Sequence, residues 1–214
     1  MKHSDDLRPR PTSYNIWRVG WMVGFMLIAA ASRADVVERV IELEEYGIKV
    51  NITESLDGAP TVSAQCLIPL SRELVWRVLS DYEALDELVP AVTKSQVIGE
   101  DNDVLILRQE GRAGMWFVRR DFTVTFRVKE QPMNLIEFDA FEGDFERFEG
   151  VWRVKPMRAG TLVQHEVTVV PTFWAPKWSL RRIARQMMLE TIQGVVQRCF
   201  EIGETENAAE KESG

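Results

Sequence analysis

Residues 122–129 read FTVTFRVK, and apolar and polar side chains alternate through this stretch without interruption. Successive side chains of a β-strand point to opposite faces of its sheet, so Phe122, Val124, Phe126 and Val128 would share one face. The other face would carry threonine, arginine and lysine side chains in water. The stretch therefore predicts a half-buried strand of an antiparallel sheet with an aromatic inner surface.

The same alternation continues on both sides of this strand. Glycine, proline, asparagine and aspartate separate the alternating stretches, which is typical of hairpin loops. We predict six consecutive antiparallel strands, at residues 93–99, 104–111, 117–129, 135–141, 145–155 and 162–171. A further strand is expected at 62–68, and two short extended pieces are expected within 40–52.

Helical patterns flank the strands. Ser71 is a good N-cap for a short helix, and a second helical turn is predicted at 84–89. A long amphipathic helix is predicted from Lys177 to about Ile202, with Met187 on its apolar stripe. Because this helix is the only large element that can cover the apolar face of the sheet, the expected fold class is α+β. A curved antiparallel sheet of about six or seven strands would wrap around a long C-terminal helix.

Composition and charge exclude several classes of protein. The chain has 214 residues, of which 45% are hydrophobic and 28% charged, with a formal net charge of -7. An acidic chain lacks the basic field that nucleic-acid binding needs, so no nucleic-acid partner is expected. The two cysteines, Cys66 and Cys199, are too few for a zinc module or a disulfide framework. They would form one bridge or two buried free thiols, and the second alternative is favoured.

The N-terminus has the features of an export signal. Residues 1–18 carry a small excess of positive charge, and residues 19–31 form an uncharged, mostly apolar run. This run is shorter than the ~20 residues of a spanning helix, and it matches the apolar region of a signal peptide. Residues 1–34 are therefore predicted to be a signal peptide, or an N-terminal anchor if they stay uncleaved. The protein would be exported, periplasmic or secreted.

The predicted domains follow from these boundaries. Residues 35–60 would form an N-terminal extended segment, 61–202 the ligand-binding domain and 203–214 a disordered acidic tail. Cleavage after Ala34 would remove five basic and two acidic residues from a chain of net charge -7, which leaves -10.

The inward-facing positions predict an apolar pocket with a few polar groups. Its expected apolar lining is Phe122, Phe126, Phe138, Phe148, Trp152 and Met187. Three polar side chains share the inward register, namely His165, Arg120 and Glu146. They would hydrogen-bond the polar head of a ligand. Alternatively, His165 is satisfied by a neighbouring group, and Arg120 and Glu146 stand in solvent at the rim.

No set of catalytic residues stands out in the sequence. His165 is the only histidine after residue 34, and the chain has no His-x-x-x-His, Cys-x-x-Cys or calcium-loop pattern. A nucleophile elbow and a phosphate-binding loop are also missing from the sequence. We therefore predict no metal, no cofactor and no catalytic residue. A cyclase or dehydratase would have to use His165 as its acid–base group.

Several short motifs resemble those of the START-like SRPBCC superfamily of polyketide cyclases/dehydrases and lipid transport proteins. The match is most similar to its coenzyme Q-binding START-type branch. The motifs are IPLS at 68–71, VWRVLSDY at 75–82, LVP at 88–90, GDF at 143–145, FEGVW at 148–152, Pro156, GT at 160–161, and the run from MLE at 188–190 to VQR at 196–198. The resemblance implies a helix-grip fold over residues 61–202. It also implies a cavity between sheet and helix for a lipid, an isoprenoid quinone or a polyketide-like molecule.

Three functions compete at this point. The leading one is non-catalytic binding or transport of a hydrophobic small molecule, with transient membrane contact for ligand exchange. The second is an enzyme that depends on His165. The third is a protein-interaction module with a vestigial cavity, whose surface would be Trp174, Trp178, Arg181, Arg182 and Arg185. A cavity of several hundred Å³ that contains His165 would favour the first, and a filled core would favour the third.

Overall fold

The alternating stretches form strands in the computed structural model, which describes residues 41–43, 48–54, 59–115, 118–174 and 176–213. The predicted signal peptide or anchor at 1–34 lies outside these residues and stays a prediction. The strands are β1 (Ile41–Leu43), β2 (Ile48–Glu54), β3 (Pro60–Ile68), β4 (Val92–Asp101), β5 (Val104–Met115), β6 (Val118–Gln131), β7 (Leu135–Gly143), β8 (Phe145–Met157) and β9 (Gly160–Pro171).

All nine strands belong to one antiparallel sheet in the order β1-β2-β3-β9-β8-β7-β6-β5-β4. The six-strand meander from β4 to β9 is confirmed. The strand count exceeds the expected six or seven because both short extended pieces, β1 and β2, pair into the sheet beside β3. β3 in turn pairs with β9, which joins the two halves of the sheet.

Three helices complete the fold. α1 (Arg72–Leu79) begins where predicted, because the Leu74 N–H donates to the Ser71 Oγ at 3.2 Å. A 3₁₀ turn at Tyr82–Ala84 leads into the four-residue α2 (Leu85–Leu88). α3 (Lys177–Ser213) is the long C-terminal helix. No helix among the described residues is long and apolar enough to cross a bilayer.

α3 gives the sheet its core partner, and this arrangement confirms the helix-grip fold. The helix packs most closely against β2, β3, α1 and α2. Ile192, Val195, Val196 and Cys199 are buried there with the apolar side chains of the sheet. These four residues lie in the middle of the helix, and Met188 is the first residue of the helix that is buried with them.

The C-terminal tail is helical rather than disordered, so the predicted end of the helix near Ile202 is wrong. α3 continues to Ser213 because its last turns are tied to the rest of the protein. The Arg77 Nη2 lies 2.5 Å from the Glu206 Oε1, and the Thr205 hydroxyl donates to the Glu201 carbonyl at 2.8 Å. Gly203 is buried beside the side chain of Leu70. The tertiary contacts of Glu206 and Gly203, together with the bond of Thr205 within the helix, favour helix in this polar segment.

The two cysteines are both buried and unbridged, as the favoured alternative expects. Cys66 lies on β3 and Cys199 on α3. Burial raises the pKa of each thiol to about 12, so both thiols stay protonated at neutral pH.

A glycine sets the distance between α3 and α2. A Cβ placed at Gly194 would lie 2.2 Å from the Leu88 carbonyl oxygen, which is far inside van der Waals contact. We predict that Gly194→Ala lowers the free energy of unfolding by about 1–3 kcal/mol, because the two helices must move apart. Urea denaturation measures this loss. Gly99→Ala is the matched control, since nothing lies within 4 Å of a Cβ at that position. An equal effect of both substitutions would contradict the close helix contact.

Candidate ligand-binding site

A cavity of about 890 Å³ lies between α3 and the inner face of the sheet. The strands β6 to β9 form its wall, and α3 contributes residues from its first turns, including Ala184 and Met187. The end of α1 and the segment that follows it close another side with Leu79, Tyr82 and Leu85. Most of the lining is apolar, because the side chains that alternate inward on the strands meet there.

The wall of the cavity is an aromatic cluster. Phe126 contacts Phe138 and Phe148 with ring-centroid distances of 5.5 and 5.0 Å, and both contacts are edge-to-face. Phe145 joins Phe148 at 4.9 Å and Phe122 at 5.4 Å in the same manner. Such edge-to-face contacts between rings are favourable beyond simple burial. The cluster therefore gives the cavity a continuous apolar surface with a fixed shape.

His165 is the buried polar side chain at the centre of this wall. β9 places it directly opposite Trp152 of β8, and the two rings stack with centroids 3.5 Å apart and planes 7° apart. Phe138 lies 6.1 Å away on the same surface. Only 6% of His165 is exposed. The histidine is thus held in one orientation by aromatic neighbours.

The hydrogen bond of His165 fixes which of its ring nitrogens carries the proton. Its Nδ1 lies 3.1 Å from the Val151 carbonyl oxygen, and a carbonyl can only accept, so Nδ1 donates. Burial lowers the pKa of His165 to about 3, although the bond to Val151 opposes the shift. The ring is therefore neutral at ordinary pH. Its Nε2 keeps a lone pair and is a hydrogen-bond acceptor in the wall of the cavity.

Tyr82 is a second polar residue of the wall, but its hydroxyl is already used. The Tyr82 hydroxyl donates to the Glu130 Oε1 at 2.5 Å. Burial, and then the neighbouring Glu130 carboxylate, raise the pKa of Tyr82 well above its usual value. This bond fixes the 3₁₀ turn to β6, so Tyr82 presents its ring to the cavity.

The mouth of the cavity carries charges that are mostly paired. The Arg120 guanidinium lies 4.7 Å from the centroid of the Phe173 ring, and both residues border the mouth. Asp121 accepts from the Arg112 Nε at 2.5 Å, which lowers the pKa of this carboxyl. Asp144 accepts from the Thr123 backbone N–H at 2.7 Å. The entrance is therefore polar where the interior is apolar.

Eight of the nine predicted site residues lie around this one cavity. They are His165, Trp152, Phe126, Phe138, Phe122, Phe148, Met187 and Arg120. Arg120 stands exposed at the mouth, as the rim alternative expects. One alternative from the sequence is that a neighbouring group satisfies His165, and the Val151 carbonyl is that partner for Nδ1. That these residues bind a ligand stays a prediction.

Glu146 is the exception, and its inward placement is wrong. The pairing of β8 with β9 shifts register between Phe145 and Arg147, so a bulge interrupts the alternation there. Glu146 is exposed and lies outside the cavity, and Phe145 takes the inward place. Phe145 is absent from the predicted lining because strict alternation from Phe148 assigns it to the outer face. The aromatic pair at 145 and 148, three residues apart in a strand, was the available signal of a bulge.

Metal binding has no structural support in the part of the chain that is described. No three histidine, cysteine, aspartate or glutamate side chains converge there in a way that could hold an ion.

The sequence matches one protein family over most of this fold. The family described as polyketide cyclase/dehydrase and lipid transport matches residues 68–196, from the end of β3 into α3. This span contains all strands of the aromatic wall. A search of curated proteins gave no significant match.

Solved structures with the same fold include lipid transfer proteins and an enzyme. A STAR-related lipid transfer protein from Xanthomonas axonopodis superimposes with a TM-score of 0.62 at 16% identity, covering 76% of this chain and 98% of that one. The human StAR-related lipid transfer protein 5 also superimposes with a TM-score of 0.62. It is 12% identical, and the match covers 80% of this chain and 90% of that one. The Zhui aromatase/cyclase from Streptomyces superimposes with a TM-score of 0.57. It is 16% identical, and the match covers 65% of this chain and 92% of that one. At these identities the likeness concerns the fold alone.

Acidification is expected to destabilise the protein through His165. The folded pKa is about 3 against 6.5 for the exposed group, so between these values the unfolded chain binds a proton that the folded chain does not. The free energy of unfolding therefore falls as the pH drops, by about 2 kcal/mol from about pH 7 to about pH 5 for this group. Urea denaturation at both pH values measures the loss.

His165→Gln is the control for this titration, because the carboxylates titrate equally in both proteins. On the same pH change, the free energy of unfolding of the variant should fall by about 2 kcal/mol less than that of the wild type. Equal losses in the two proteins would mean that the folded protein protonates His165 at its ordinary pKa.

Proposed function

Because the chain belongs to the polyketide cyclase/dehydrase and lipid transport family, we propose that it binds a hydrophobic small molecule in its cavity and carries it unchanged. The observation that carries this proposal is the apolar cavity of about 890 Å³. Cavities of about 300–1,000 Å³ with apolar walls and a few polar groups are typical of ligand sites. Protein interiors are otherwise close-packed. The side chains around an empty apolar cavity of this size lack many packing contacts, and a bound ligand would restore them.

His165 narrows the chemical class of this ligand. The cavity wall offers a buried acceptor at Nε2, whereas Nδ1 is engaged with Val151. A buried acceptor favours a ligand that can donate a hydrogen bond to it. We infer a largely hydrocarbon or aromatic molecule with a hydroxyl group, such as a lipid alcohol, a phenolic polyketide or the quinol form of an isoprenoid quinone. The assignment to the coenzyme Q-binding branch stays a prediction.

The two competing functions have less support. A general acid or base works best with a pKa near the operating pH, and the pKa of His165 is about 3. An interaction module with a vestigial cavity would have a filled core, and the volume between α3 and the sheet argues against that. The signal-like residues 1–34 support a carrier that acts outside the cytoplasm.

Blocking the cavity tests the carrier proposal. Ala184 is a small, half-buried residue of the cavity lining, so Ala184→Trp would fill the space with an indole ring. We expect native mass spectrometry of protein purified from its own compartment to find a bound small molecule in the wild type and none in this variant. Ala159→Trp is the control, because Ala159 is exposed in the turn before β9. A wild-type protein recovered empty, or an equal load in Ala184→Trp, would contradict the proposal.

The acceptor role of His165 has its own test. The wild type should bind a long-chain alcohol about tenfold more tightly than its methyl ether, because only the alcohol can donate to Nε2. His165→Phe keeps an aromatic ring at this position and should bind the two probes equally. Isothermal titration calorimetry measures both affinities. Conversion of either probe by the wild type but not by the variant would favour the enzyme.

A further inference from the structure

The rim of the cavity beside α3 carries the two most exposed aromatic side chains of the described residues. Trp174 is 87% exposed and Trp178 is 67% exposed, and Phe173 beside them is 38% exposed. All three border the cavity mouth. Single apolar side chains are common on protein surfaces, but three within six residues at the entrance of an apolar cavity form a patch. Such a patch is typical of an interaction site.

Positive charge is concentrated next to these aromatic residues. The first nine residues of α3 contain Lys177, Arg181, Arg182 and Arg185, and the first acidic residue of the helix is Glu190. Cations at a helix N-terminus oppose the helix dipole, so this arrangement does not serve helix stability. The chain as a whole has a net charge of -7. The cluster therefore creates a local positive face on an acidic protein.

Two carboxylates border the mouth of the cavity, and each of them is engaged. Asp121 is held by Arg112 across the mouth, and Asp144 accepts from the Thr123 backbone. Arg120 lies over Phe173 and adds a further cation on the sheet side of the entrance. Cations thus border the exposed indole rings on both sides of the mouth.

We propose that Trp174, Trp178, Lys177 and Arg182 dock the protein onto an anionic membrane surface with the cavity mouth toward the lipid. Indole rings prefer the interface between lipid and water, because their apolar body and N–H group meet both environments. Lysine and arginine beside them are attracted by anionic headgroups. The acidic remainder of the chain is repelled by the same surface, and this repulsion fixes the orientation of the docked protein.

Docking with the mouth toward the lipid would let a hydrophobic molecule enter or leave without crossing water. That use rests on the proposed function, but the docking itself does not depend on a bound ligand. A membrane fits this surface better than a protein partner does, because the patch combines highly exposed indole rings with lysine and arginine side chains.

Vesicle binding tests the docking surface. Wild type and variants are prepared in the same way from the full chain, so any effect of residues 1–34 is common to all of them. We expect the wild type to bind vesicles of phosphatidylcholine mixed with phosphatidylglycerol, to bind phosphatidylcholine alone about tenfold more weakly, and to be released by salt. Trp174→Ser combined with Trp178→Ser should reduce binding to the anionic vesicles by about tenfold or more. Quenching of tryptophan fluorescence by brominated lipid should be weaker in this variant than in the wild type, by the contribution of Trp174 and Trp178.

Charge reversal has a matched control at the opposite end of β9. Lys177→Glu with Arg182→Glu should abolish the preference for anionic vesicles. Lys155→Glu with Arg158→Glu makes the same change of net charge where β8 ends and turns into β9, and should leave the preference intact. Equal losses in both double variants, or wild-type binding without any preference for anionic lipid, would overturn the proposal. Ala184→Trp should still dock, and this separates a failure of docking from a failure of ligand binding.

Discussion

One helix has to cover an apolar sheet face that is wider than the helix itself. α3 packs closely against β2 and β3, where Ile192 and Cys199 are fully buried. The inner face of β6 to β9 curves past the helix on its other side, and the space between them is the cavity. Core and binding site are therefore two parts of one surface. A residue on that surface belongs to the core or to the cavity according to its distance from α3.

This geometry explains where the inner face of the sheet can hold the buried imidazole of His165. A polar side chain on the part of the face that α3 covers would have no room for a partner, and burial without a partner is costly. His165 lies on β9, between the packed and the open part of the face. Its Nδ1 is satisfied by the adjacent strand at Val151, and stacking on Trp152 holds the ring. Nε2 is left as the acceptor of an otherwise apolar wall, so stability and recognition depend on the same imidazole.

Alternation in the sequence was sufficient to predict the meander, the long helix and most of the cavity lining, because side-chain direction in a strand is fixed by the period of two. Local pattern did not reveal the bulge at Phe145–Arg147, since one extra residue reverses the alternation without changing composition. The extension of α3 to Ser213 depends on partners distant in sequence, such as Arg77. Cavity volume also lay beyond prediction, because it depends on where the helix sits.

The uneven attachment of α3 has a mechanical consequence. The helix is held near Gly194, where the Leu88 backbone leaves no room for a side chain, and near Glu206, where it is joined to α1. Met188 is the first residue of the helix that is buried in the core, so the arm from Met188 to Trp178 measures about 15 Å at 1.5 Å per residue. A bend of about 15° at Met188 would displace the tip by about 4 Å. The cavity entrance could therefore widen by rigid rotation of one lever, without breaking a single strand pairing of the sheet.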